Sequence, residues 1–233
     1  ILSTMVLVMI STTICMYMGM DDILTTRFPR EFEVTSFYPD SETKENVRGI
    51  IEEEAKRGGV SVKDRMEYHC GGIAVLKEGN EFKIAEDEDV YSGNEDILEL
   101  KMIPLEDYNA LEGRNVSLGD DEVLIYNPDS KAEKMGGTLR IEGVSYKIQE
   151  ELETFLLEEK NESRVIGCKY IIVKDEEKIQ ELLNLAYERL KDENPQLDEI
   201  KVEYKVCFDL EGADKDVRKT ETVIKNRVKE EVG

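Results

Sequence analysis

Residues Ile1 to Met20 (ILSTMVLVMISTTICMYMGM) form an apolar run without charge or proline, and no later segment has this pattern. At about 1.5 Å of helical rise per residue, such a run reaches roughly 30 Å, one bilayer hydrocarbon thickness. Its polar members Ser3, Thr4, Ser11, Thr12 and Thr13 are hydroxyls that can bond back to the preceding helical turn. Tyr17 lies near the end that meets Asp21 and Asp22, where an amphipathic ring suits the headgroup layer. The pattern predicts a transmembrane helix over residues 1–20. A cleaved signal peptide is the first alternative, but no Lys or Arg precedes the run and Gly19-Met20-Asp21 is a poor cleavage site. A buried core helix is the second, and it would normally show a polar stripe.

Beyond the connector Arg27-Phe28-Pro29-Arg30, Phe32, Val34, Ser36 and Tyr38 alternate with Glu33, Thr35 and Phe37, which predicts a strand. Asp40-Ser41 offers an N-cap to a helix carrying Val47, Ile50, Ile51 and Ala55, and Gly58-Gly59 ends it. A second strand is expected from Val60 to about Leu76, broken or bulged at Gly71-Gly72. The turn Lys77-Glu78-Gly79-Asn80 then joins it to Glu81–Ala85 as a hairpin.

From Glu86 to Arg164 the signals are short. Ile97–Lys101, Glu122–Tyr126, Thr138–Glu142 and Val144–Gln149 read as strands, Leu105–Leu111 as a short helix, and Ile141-Glu142-Gly143-Val144 as a tight hairpin. Then the opening rhythm returns. Tyr170–Val173 is an apolar strand, and Asp175 caps a helix with Ile179, Leu182, Leu183, Ala186 and Leu190 on one face. Asn194-Pro195 ends that helix, Ile200 to Phe208 alternate as a strand, and Asp214 opens a last helix.

The expected fold class is α+β: an N-terminal transmembrane helix, then a split βαβ (ferredoxin-like) subdomain interrupted by a mainly β insertion. The expected boundaries are 1–20 for the membrane helix and 21–85 for the first half of the βαβ subdomain. The insertion takes 86–165, and the second half of the βαβ subdomain takes 166–233. The chain opens on Ile and stops at Glu-Val-Gly, so both ends read as cut from a longer protein. The last helix, rich in Lys225, Arg227 and Lys229, would then lead toward a second membrane helix.

Charge narrows the partners. There are 53 acids against 31 bases, a net charge of −22, all of it after residue 20. That balance disfavours nucleic acid and anionic lipid surfaces and favours a cationic partner such as a basic peptide. Cys15 lies in the apolar run, leaving Cys70, Cys168 and Cys207 outside it. Three buried thiols are the expectation, a single bridge the alternative, and the former hints at a reducing habitat.

Candidate chemistry is sparse. The chain lacks a nucleophile elbow, a phosphate-binding glycine loop with Lys and a His-Glu-x-x-His zinc motif. Its one His, in Tyr68-His69-Cys70-Gly71-Gly72, neighbours a Cys, but successive strand residues point to opposite faces. The acid run Glu86-Asp87-Glu88-Asp89, followed by Asn94, Glu95 and Asp96, lacks calcium-loop spacing and reads as a solvated loop. Asn115-Val116-Ser117 and Asn161-Glu162-Ser163 match the glycosylation pattern, one common by chance. No catalytic, cofactor-binding or metal residue is assigned.

Several segments carry a family resemblance. STMVLVMISTTICMYMGMDDIL with its Arg-Phe-Pro-Arg exit resembles the membrane exit of an FtsX-like ABC transporter permease of a Gram-positive bacterium. Ile103-Pro104-Leu105-Glu106-Asp107-Tyr108-Asn109-Ala110-Leu111 and Leu118-Gly119-Asp120-Asp121-Glu122-Val123-Leu124 are similar to that family as well. So is the strand-to-helix turn Cys207-Phe208-Asp209-Leu210-Glu211-Gly212-Ala213-Asp214. The resemblance implies a MacB-like (type VII) permease of the bacterial cell membrane, with its globular part extracytoplasmic. In that family a cytoplasmic ABC ATPase moves the membrane helices, and the motion passes to an external peptide, antibiotic, lipoprotein or cell-wall hydrolase. The resemblance implies no enzyme activity in this chain and no cofactor; the bilayer is met through residues 1–20. The connector 21–30 would act as a lever, and the insertion from Glu86 to Arg164 would contact the ligand or partner. A sensory ectodomain of a membrane receptor and a membrane-tethered enzyme are the alternatives.

Overall fold

The structure is a computed structural model that describes residues 32–36, 40–78, 81–85, 97–126, 137–153, 155, 167–192, 194–195 and 197–231, of 32–36 and 167–169 the backbone. The expected transmembrane helix 1–20, the connector 21–30 and the acid run 86–89 lie outside these residues. Among the described residues no helix is long and apolar enough to cross a membrane.

The fold is mixed α and β. Its strands are β1 (Phe32–Ser36), β2 (Ser61–Glu78), β3 (Glu81–Ile84), β4 (Ile97–Pro104), β5 (Glu122–Tyr126), β6 (Thr138–Ile141), β7 (Val144–Leu152), β8 (Gly167–Val173) and β9 (Glu203–Glu211). Its helices are α1 (Ser41–Gly58), α2 (Leu105–Glu112), α3 (Glu176–Leu190) and α4 (Asp214–Glu231). The local signals act as their chemistry requires. Asp40 accepts the Thr43 amide at 2.6 Å and starts α1, and Gly59 at φ 70° closes it, a left-handed position where a Cβ is penalised. Asp175 accepts the Lys178 amide at 3.0 Å to start α3. The β6–β7 turn places Glu142 and Gly143 at φ 48° and 78°, the two positive values of a type I′ hairpin.

Among the described residues the nine strands belong to one connected sheet with two regions. In the first, β9 lies between β1 and β2 and is antiparallel to both, so β1 and β2 run parallel. Helices α1 and α4 cover one face of this region. Val47, Ile50 and Ile51 of α1 and Ile224 and Val228 of α4 pack on Tyr204, Val206 and Phe208 of β9. In the second region the pairings run β2–β3–β6–β7–β5–β8–β4 and return to β2, a closed circuit of strands. One face of every strand in this ring joins a single apolar cluster with Ile179, Leu182, Leu183 and Ala186 of α3. On the opposite side, Met66, Tyr68 and Cys70 of β2 and Cys207 of β9 pack with Leu105 and Tyr108 of α2 and with Phe155 and Tyr170.

Two expectations change. The break foreseen at Gly71-Gly72 is absent, and β2 runs straight through its eighteen residues. Its irregularity falls instead between Lys63 and Met66, where Asp64 takes φ 46°. Gly71 has another purpose: a Cβ there would stand 2.5 Å from Ile179 Cγ2, so the missing side chain lets α3 lie directly on the strand. The second strand–helix–strand unit also does not set its two strands side by side. Strand β8 pairs β4 and β5 within the ring, and only β9 joins β1 and β2. Tyr170, Ile171, Ile172 and Val173 are all buried, and a strand apolar on both faces needs neighbours on both.

Candidate functional site

The chain crosses between the two sheet regions twice. Strand β2 passes from its β9 pairing, which ends at Cys70, to its β4 pairing, which begins at Gly71. The second crossing runs from β8 through α3 into β9. Both crossings meet around His69.

His69 is 6% exposed. Its backbone amide donates to Asp107 Oδ2 at 2.5 Å, and its Nδ1 lies 2.7 Å from the same oxygen. A carboxylate only accepts, so Nδ1 carries the proton and this bond sets the tautomer. Glu176 Oε1, on the first residue of α3, lies 3.3 Å from the same nitrogen. Tyr204, the register partner of His69 on β9, places its ring 5.5 Å away. The remaining nitrogen, Nε2, is buried without a hydrogen-bond partner among the described residues. A buried polar atom that finds no partner costs about 1–3 kcal/mol.

A second polar chain continues from Tyr204. Its hydroxyl donates to Glu67 Oε2 at 2.7 Å, and Arg48 of α1 grips the same carboxylate through Nε at 2.8 and 2.9 Å and through Nη2. Burial pushes the Glu67 carboxyl up, but the bonds from Arg48 and Tyr204 outweigh it and hold it below the usual range. Burial and the bond to Glu67 push the Tyr204 phenol well up, so it stays a donor.

The His-Cys pair seen in the sequence is not brought together. The Cys70 side chain packs in the apolar cluster with Met66 and Tyr170, while His69 meets Asp107 and Glu176. Burial pushes the Cys70 thiol up to about 12, so it carries no thiolate near neutral pH. Cys70 and Cys207 are both buried, and the side chain of Cys168 lies outside the described residues. Asn115 is exposed in the loop after α2, whose Val116 is held by both polar atoms of Asn109 at 2.9 and 3.0 Å. Asn161 and the acids at 86–89 lie outside the described residues. Among the described residues no three His, Cys, Asp or Glu side chains stand together as metal ligands.

Asp107, Glu176, Tyr204 and Glu67 all escape a reading of the sequence. Asp107 lies 38 residues from His69 and looks like an ordinary acid in the first turn of a helix, as does Glu176. The one available signal is that the chain has a single His.

Comparison with known proteins finds no matching family model and no significantly similar curated protein or solved structure.

Proposed function

We propose that this chain is the extracytoplasmic part of an FtsX-like, MacB-like ABC permease that passes ATPase-driven motion to an external substrate or partner. The observation that carries the reading is the arrangement of β1, α1, β2, β9 and α4. Parallel β1 and β2 with antiparallel β9 between them, and both helices on one face, make a split βαβ unit. Strand β2 and the chain between it and β9 build the strand ring, and on this reading the ring's 86–165 part meets the external partner. Strand β1 follows closely on the connector 21–30, so a tilting membrane helix would act first on the split unit. The net charge of −22 favours a cationic peptide among the external partners.

The test is extraction of the full-length protein from its native membrane in mild detergent, with mass spectrometry of what accompanies it. An ABC-type ATPase subunit is the expected companion. A membrane protein recovered with no ATPase, or one carrying a kinase module, overturns the reading. In the same full-length protein, a flexible Gly-Ser insertion in 21–30 is expected to uncouple transport from ATP hydrolysis; unchanged transport would sink the lever.

A further inference from the structure

We infer that His69 and Asp107 form an orienting clasp that sets the angle between the split unit and the strand ring. The inference rests on geometry alone and does not depend on the transporter reading. The two covalent crossings between the regions are a strand and an irregular segment. Strand β2 crosses at Gly71-Gly72, where it leaves β9 and takes β4 as its partner. The other crossing, after α3, is an irregular segment attached to the helix through Gln180, which donates to the Ile200 carbonyl at 2.9 Å and accepts from the Val202 amide.

Apolar contact between the regions does exist, where Met66 and Cys207 meet Tyr108 and Phe155. Such contact holds surfaces together but is non-directional. Among the described residues a directional contact lies at His69. One carboxylate oxygen of α2 takes both the His69 amide and Nδ1, and Glu176 brings the start of α3 to the same nitrogen. The imidazole in turn lies against Tyr204, whose hydroxyl reaches Glu67 and through it Arg48 of α1. Four elements, β2, α2, α3 and β9, are thereby referred to one ring. Nε2, which has no hydrogen-bond partner among the described residues, fits this role, because a buried polar group can serve orientation rather than stability.

The experiment measures distances by pulsed electron resonance in the 233-residue chain. Spin labels are attached through azide-bearing residues at Gln149 of β7 and Asn226 of α4, both exposed, so the native cysteines stay in place. The unaltered chain is expected to give one narrow distance distribution. His69→Phe keeps a ring and removes both nitrogens; it is expected to retain or raise the melting temperature while broadening or splitting the distribution. An unchanged distribution in a folded His69→Phe variant overturns the clasp, whatever its stability. Should that variant not fold, Asp107→Asn, which weakens the contact and keeps its size, is measured in the same way. A distribution as narrow as that of the unaltered chain then overturns the proposal.

Discussion

Tyr204 of β9 and Glu67 of β2 are joined hydroxyl to carboxylate at 2.7 Å, and Arg48 of α1 grips the same carboxylate from its helix. Helix, edge and centre of the split unit thus share one anion. Glu67→Gln keeps an acceptor oxygen but removes the charge facing Arg48. The expected cost is about 1.5 kcal/mol at neutral pH, in the range for hydrogen bonds to charged groups. Because the folded carboxyl titrates below its ordinary value of 4.5, its contribution is complete above that pH and disappears as pH falls through the folded value. Urea midpoints of the two chains, measured against pH, should therefore converge in acid. A constant gap would show that Glu67 acts by shape alone.

Gly71 and Gly72 stand side by side in β2 with opposite expected responses. An alanine Cβ at Gly71 would lie 2.5 Å from Ile179 Cγ2 and 3.1 Å from Leu183 Cδ1, both on the buried face of α3. Ile179 is β-branched and stiff, so the helix must shift, and Gly71→Ala is expected to cost about 1–3 kcal/mol. At Gly72 the near atom among the described residues is Glu99 Oε1 at 3.3 Å, the far end of a flexible side chain. Gly72→Ala is expected to change stability by less than about 0.5 kcal/mol. Paired thermal melts decide the matter, and equal losses would contradict the close seat of α3 on the strand.

Local chemistry was the legible part of this fold. Asp40 and Asp175 as caps, Gly59 as a stop and Glu142-Gly143 as a hairpin turn are decisions made within a few residues. Pairing partners are not local. Nothing near Tyr170–Val173 says that this strand seeks β4 and β5 rather than β9, beyond its being apolar on both faces. Gly71-Gly72 reads as a break because a bulge and a helix landing leave the same trace in one strand; Ile179, more than a hundred residues away, separates them. The His69 site was hidden for the same reason, since Asp107 and Glu176 look like first-turn acids that suit a helix dipole.

Cys70 is expected to resist alkylation in the folded chain. Burial raises its thiol from 9.0 to about 12, so thiolate is scarce at mildly alkaline pH and reagent has no path to the sulfur. Peptide mapping after iodoacetamide should find Cys70 unmodified under native conditions and modified in concentrated guanidinium. The linkage has a definite sign. Unfolded chains lose this proton near pH 9.0 and folded chains do not, so the thiol lowers stability as pH climbs from there toward about 12. Cys70→Ala should remove that part of the alkaline decline. Rapid native labelling would show instead that the cluster around Tyr68 and Tyr170 opens readily.

Excision of residues 86–165, the expected insertion, tests whether the ring is an added module or part of the core. That cut removes β4, β5, β6 and β7 and leaves β8 without either of its partners. It also uncovers Ile73, Val75, Phe82, Ile171, Val173 and the apolar face of α3, whose cluster the lost strands complete. Each such side chain is worth about 1.5–3 kcal/mol when fully buried. Uncovering even half of them approaches the roughly 5–15 kcal/mol by which whole domains are stable. The excised chain is therefore expected to lose its cooperative thermal transition and to bind a dye for exposed apolar surface. A cooperative transition with the helical signal of α1 and α4 intact would mean that the split unit folds alone, and that β2 borrows the ring rather than needing it.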